Sequence, residues 1–229
     1  MSDHVLNVVV GGSSSLGRYY LKHLPWESEG TLATFYRHRD EHSLILDWQK
    51  CDVSVVEDLD RLIDNVLSRN LPVRLVWFPG VLTMNPRSST DWNELVHLFT
   101  VNIIATTYVV SRLAHELQYG SRICLCSSVS ALKGSFDLAY ASSKSALSGL
   151  VLSSARLCKD GLSVFGIAPN SIEDTAMFRA FSPETKLIHR ARAPKGILTR
   201  KDVSEEIYRL MQKQASETNG KIFPIGIDL

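Results

Sequence analysis

The β-branched run Val5 to Val10 (VLNVVV) passes without a spacer into Gly11-Gly12-Ser13-Ser14-Ser15-Leu16-Gly17, and a helical pattern follows from Leu16 to Leu24, closed by Pro25. A short apolar run bounded by glycine reads as a buried strand. Strand, glycine-rich turn and helix in immediate succession form the setting a nucleotide phosphate needs. The helix start offers free N–H groups and the positive end of its dipole, and glycine lets an anion approach the backbone. The strict G-x-G-x-x-G spacing is not met. The chain has G-x-x-x-S-x-G instead, from Gly11 through Ser15 to Gly17, and Ser13 and Ser14 add hydroxyl donors. An ordinary strand-to-helix turn uses similar residues, so the junction needs support from the rest of the chain.

That support is an alternation of strands and helices. Thr31 to Tyr36 is a second strand, ending in Arg37-His38-Arg39. In a dinucleotide-binding unit, an acid at this strand end bonds the 2′-hydroxyl of NAD, whereas an arginine accommodates the 2′-phosphate of NADP. No acid stands here, so Arg37 is expected to read NADP(H); a plain charged loop is the alternative. Leu44 to Cys51 contains a third strand, leading into Asp52-Val53. The helix from Val55 to Ser68 carries Val56, Leu59, Leu62, Ile63 and Val66 on one stripe. Val73 to Phe78 is a fourth strand, turned by Pro79-Gly80. A long helical pattern runs from Asp91, a candidate N-cap with Glu94 three residues on, to Leu117. Polar Asn102 lies in its apolar middle and must be satisfied, either by local backbone or as support for a site.

Arg122 to Cys126 is a fifth strand, ending in Ser127-Ser128, and hydroxyls at a strand's carboxyl end sit where open α/β sheets bind ligands. A helix containing Tyr140 and Lys144 extends to Lys159, and a strand follows at Leu162 to Ala168. Pro169-Asn170 opens an irregular segment through Arg200, in which Thr175 to Lys195 is either a substrate lid or a connecting loop. A helix over Asp202 to Gln214 and a strand over Lys221 to Ile225 complete the pattern. Residues 1–229 therefore read as one α/β domain, a Rossmann-type doubly wound parallel sheet of seven strands with helices on both faces.

Tyr140 and Lys144 are four apart, so on a helix a phenol and an ammonium share one face. A free tyrosine has a pKa of about 10. A fixed positive charge nearby favours the phenolate and lowers that value, and a tyrosine so tuned passes protons to or from a substrate oxygen. Taken alone, the spacing equally describes a core tyrosine beside a surface lysine.

Composition removes other classes. The net charge is +1 with no dense basic run, so neither nucleic acid nor an anionic membrane is expected as partner. No apolar run approaches the length of a membrane span, and no signal peptide precedes the first strand. Cys51, Cys124, Cys126 and Cys158 are few and irregularly spaced, which suggests reduced thiols and a cytoplasmic setting. Cys124 and Cys126 have no second pair, and His38 and His42 have no third ligand, so no metal site is expected.

In their order along the chain, these residues resemble the short-chain dehydrogenase/reductase family over essentially the full length. Gly11 to Gly17 is similar to the family's cofactor loop. Asp52-Val53 matches the acid and its neighbour that hold the adenine. Asn102, Ser128, Tyr140 and Lys144 match the active-site asparagine, serine, tyrosine and lysine, and Asn219-Gly220-Lys221 the turn before the last strand. The resemblance implies an NADP(H) site formed by Gly11, Ser13, Ser14, Ser15, Leu16, Gly17, Arg37, Asp52, Val53, Gly80, Tyr140, Lys144, Pro169 and Thr175. It implies Tyr140 as general acid or base, with its pKa lowered by Lys144. Ser128 would bond the substrate oxygen, and Asn102 would hold a water in a proton relay. The chain departs from the pattern at Ser15, where the family has its middle glycine, at Trp77-Phe78-Pro79, and at Asn170. Thr175 stands one residue late, and a short Ser128–Tyr140 gap leaves Ser127 as a rival serine. The activity implied is reduction of a small carbonyl compound to an alcohol, or the reverse, by a homodimer or homotetramer. The alternative is a nucleotide-binding regulatory or scaffold protein on the same fold.

Overall fold

Seven strands form a single sheet in the order β3-β2-β1-β4-β5-β6-β7. They are β1 (Leu6–Val10), β2 (Gly30–Phe35), β3 (Leu46–Lys50), β4 (Val73–Trp77), β5 (Arg122–Cys126), β6 (Ser163–Pro169) and β7 (Ile222–Ile225), and every pairing is parallel. The computed structural model describes residues 5–23, 30–38, 46–83, 91–158, 161–193 and 196–227. Pro25, Arg39, His42, Lys159 and Lys195 lie outside them.

The continuous apolar strands are explained by burial on both faces. Along β1, Leu6, Val8 and Val10 face one core with Leu62, Ile63, Val109 and Leu113, while Val9 faces another with Leu16, Tyr20, Ile207 and Leu210. The first core is roofed by α2 (Val56–Ser68), α4 (Ala105–Glu116) and α6 (Leu138–Leu157), the second by α1 (Ser15–His23) and α9 (Arg200–Met211). The chain winds outward through β2 and β3, then returns to the other side of β1 at β4. The carboxyl ends of β1 and β4 therefore flank the point where the order reverses, and ligands bind at such a point.

Several details differ from expectation. The long helix is three pieces, α3 (Trp92–Phe99), a π-helical turn (Thr100–Ile104) and α4. Asp91 stands at the N-cap, but its side chain makes no cap bond. Trp92–Glu116 forms a 25-residue run with a window of mean hydropathy 1.3, longer and more apolar than expected. Val101, Ala105, Val109, Val110 and Leu113 of this run are buried in the sheet's core. Val56 is exposed, so the buried stripe of α2 begins at Leu59. The segment after β6 contains two helices, α7 (Ala176–Arg179) and α8 (Pro183–Ala191), and a short α5 (Ser130–Lys133) follows β5. α9 starts two residues before Asp202, because Thr199 and Asp202 close a capping box.

Candidate active site

A cleft of about 1610 Å³ opens across the carboxyl ends of the strands. It is lined by Ser13 to Leu16 of the glycine turn, Gly80 after β4, Ser128 after β5, Tyr140 and Lys144 of α6, and Pro169 and Thr175 after β6. Its size exceeds the 300–1,000 Å³ or so typical of a single small ligand, and it suits a dinucleotide with a substrate beside it.

α6 begins where Asp137 caps it. Asp137 Oδ1 accepts the Tyr140 N–H at 2.9 Å, and Oδ2 accepts the Thr83 N–H at 3.0 Å and hydroxyl at 2.7 Å. One buried carboxylate thus fixes α6 to the segment following β4. A second tie runs through the π turn. Asn102 Nδ2 donates to Val81 O at 2.9 Å and to Ser143 Oγ at 2.9 Å, while Oδ1 accepts the Val81 N–H at 2.8 Å. Both amide hydrogens of Asn102 are spent on protein, so its side chain is a clamp between the segment after β4, α6 and the interrupted helix.

Lys144 is buried, and its Nζ donates to the Cys126 carbonyl at 2.8 Å. A Cβ at Gly80 would lie 2.9 Å from that Nζ, so glycine there makes room for the ammonium. Lys144 Nζ is 5.9 Å from the centre of the Tyr140 ring. The Ser127 hydroxyl is buried and donates to Lys144 O at 3.0 Å, whereas the Ser128 hydroxyl, on the cleft wall with Tyr140, accepts the Ser130 N–H at 3.1 Å. Ser127 is thereby committed to the α6 backbone, and Ser128 is the serine that favours the ionised Tyr140 phenol.

Burial pushes the Tyr140 phenol above its ordinary value, and the bond from Ser128 opposes it. Burial lowers Lys144. This differs from the expectation that Lys144 pulls Tyr140 down. The ammonium is bonded to a carbonyl rather than to the phenol, and desolvation disfavours both charged forms.

In the glycine turn, Gly11 has a positive φ of 77 and donates its N–H to Thr34 Oγ1 at 2.9 Å. A Cβ on Gly17 would lie 2.3 Å from Gly11 O, so no side chain fits there. The Ser14 hydroxyl accepts the Gly17 N–H at 3.0 Å. Ser15 does not add a free group: its Oγ accepts the Ala176 N–H at 3.1 Å, tying the turn to α7. Arg200, paired with Asp174 at 2.7 Å, reaches Ser15 O from the same side. These glycine contacts and the room beside them fit a dinucleotide held by its phosphates.

Not every expected residue lines the cleft. Gly11, Gly17 and Asn102 shape it from behind. Arg37 stacks on the Tyr36 ring at 5.2 Å, at the end of β2. Asp52 Oδ1 holds the N–H and hydroxyl of Ser54 at 2.9 and 2.7 Å. Arg37, Asp52 and Val53 stand at neighbouring strand ends, beyond the lining. Asp137, Thr83, Ser143 and Arg18 were not anticipated. Asp137 carried a readable signal, an acid at the start of a helix; Arg18 follows Gly17 directly and lines the cleft.

A doubly wound sheet with a glycine turn at its switch point is a Rossmann-type dinucleotide-binding fold, and a tyrosine and a buried lysine share the wall of its cleft. Residues 31–226 match the family model described as enoyl-(acyl carrier protein) reductase. The chain belongs to the short-chain dehydrogenase/reductase family. No curated protein matches it by sequence. A Burkholderia cenocepacia short-chain dehydrogenase in complex with NADP has the same fold, with a TM-score of 0.87, 21% identity, and coverage of 98% of this chain and 97% of that one. A Serratia marcescens short-chain dehydrogenase/reductase gives 0.84, 22%, 98% and 97%, and a Sinorhizobium meliloti dehydrogenase/reductase 0.84, 22%, 96% and 92%.

Proposed function

We propose that the protein is an NADPH-dependent reductase that converts the carbonyl of a small organic substrate to an alcohol. The observation that carries this reading is the placement of Ser128, Tyr140 and buried Lys144 together on the wall of a cleft with room for a dinucleotide. When bound, the nicotinamide supplies hydride. Ser128 orients the substrate oxygen, and Tyr140 gives it a proton as negative charge develops there. The raised pKa of Tyr140 suits that direction, because the phenol holds its proton until an oxygen more basic than phenolate forms. Oxidation needs the phenolate and is therefore favoured only at higher pH. Any relay involving Asn102 falls to its backbone, since its amide hydrogens are spent.

For the cofactor, Ser13 to Leu16 and Gly80 would border the phosphates and ribose, Pro169 and Thr175 the nicotinamide. Arg37, with Arg18, would read the 2′-phosphate, and a neighbour of the same fold is described as a complex with NADP. The four free cysteines suit a reducing compartment, and a cytoplasmic homo-oligomer completes the reading. One observation favours the scaffold alternative: the Ser15–Ala176 bond ties the glycine turn to α7 beside the cleft.

The test is a fluorescence titration with NADPH and NADH, followed by turnover of Tyr140→Phe. NADPH binding at least tenfold tighter, about 1.4 kcal/mol, is expected; equal binding removes Arg37 as reader. Tyr140→Phe is expected to retain cofactor binding and lose turnover by about 10²–10⁴-fold. An unchanged rate would leave the scaffold reading.

A further inference from the structure

The mouth of the cleft carries cations from three elements. Lys133 at the end of α5, Arg179 at the end of α7 and Arg192 at the end of α8 all line it, and none has an acidic partner among the described residues. Neighbouring cations are spent: Arg190 pairs with Glu173, and Arg200 with Asp174. Of the acids on the cleft, Asp137 is committed to capping α6 and holding Thr83, and Glu184 stands exposed in the first turn of α8. A basic residue in a helix's last turn offsets the dipole, which accounts for each cation singly. It does not require three of them to face one opening.

Arg192 is the most constrained of the three. Its guanidinium lies 5.2 Å from the centre of the Phe136 ring, which reaches it from the segment before α6. His189, three residues back, lines the same cleft. Its Nδ1 is bonded to Ser171 Oγ at 2.7 Å, and its ring stacks on Phe181 at 4.9 Å and 4°. Burial and the charge of Arg192 hold His189 toward its neutral form. The pair is thus a cation beside a fixed imidazole, walled by aromatic rings.

We propose that the substrate carries an anionic group, carboxylate or phosphate, on an apolar body, and that Arg192 with His189 receives that group at the mouth of the cleft. This rests on the reductase reading. The stacked guanidinium presents a planar fork suited to a carboxylate, and the fixed imidazole stands beside it.

Two matched aldehydes test it: 4-carboxybenzaldehyde and methyl 4-formylbenzoate, titrated calorimetrically into the full chain with NADP present. The carboxylate is expected to bind at least tenfold tighter than the ester. Arg192→Gln is expected to reduce that ratio below threefold, and Arg192→Lys to recover part of it. A ratio near one in the wild type, or one unchanged in Arg192→Gln, overturns the proposal. NADPH oxidation with the same aldehydes reads the reductase separately. Discrimination in binding without turnover sinks the reductase and leaves the anion site standing; turnover without discrimination does the opposite.

Discussion

At the scale of single residues, the site depends on groups whose environment opposes their charged form. Tyr140 is the clearest case. Its phenolate is disfavoured by burial, and neither Cys126 nor Asp137 nearby helps it. An alkaline difference titration of wild type against Tyr140→Phe should therefore show no ionisation of Tyr140 until pH passes well above about 10, the value for a free tyrosine. Ionisation near neutrality in the protein alone would mean that Lys144 outweighs desolvation. Asn102 gives a second expectation. Asn102→Ala strips partners from the part-buried Val81 N–H and carbonyl, while Ser143 keeps its bond to the Tyr140 carbonyl, and each of the two orphaned Val81 groups costs about 1–2 kcal/mol, the low end of the range for a buried group. A loss of about 2–4 kcal/mol in denaturant unfolding is expected; a loss under about 1 kcal/mol would mean that water replaces the amide. The sequence marked both residues. It could not supply their partners: a polar residue in an apolar run says that it must be satisfied, but Val81 is 21 positions away and meets it only through the fold.

At the scale of elements, what was readable followed from local pattern. β5 was expected from Arg122 to Cys126 and is found there, because an apolar run bounded by turn residues needs little context. The π turn was not readable, since one inserted residue changes no periodicity over so short a stretch. α8 was missed despite a usable signal. Ser182 accepts the Thr185 N–H at 3.2 Å and Pro183 occupies the first turn, a serine cap followed by proline. α7 has only four residues and is held largely from outside, by Ser15 and by its Thr175 cap. This makes the Ser15–Ala176 bond testable as an element-level tie. Ser15→Ala should speed hydrogen exchange at the Ala176 amide by about fivefold to tenfold, matching roughly 1 kcal/mol for one neutral hydrogen bond, with the melting temperature unchanged. Unchanged exchange would mean that α7 is held without the glycine turn.

At the scale of the whole molecule, alternation of strands and helices constrained the class of sheet but not what lies on its outer surface. The stripe facing the core and the stripe facing away are both partly apolar on the two long helices, and only packing separates them. With the core face assigned to Val101, Val109, Leu147 and Val151, an apolar remainder is left outside. Trp92 is 74% exposed and Leu152 61%, with Val96, Ile104 and Leu157 also exposed. These residues lie on α3, the π turn and α6, which pack against one another. Scattered exposed apolar residues need no explanation, but several on adjacent helices mark an interaction face. Light scattering behind size exclusion should therefore give a dimer or tetramer at micromolar concentration. Val96→Glu with Leu152→Glu should give a monomer whose circular dichroism is unchanged, because neither side chain belongs to the core. A wild type that runs as a monomer would remove the oligomer from the proposed function. A double variant that stays assembled would move the interface to another face of the sheet.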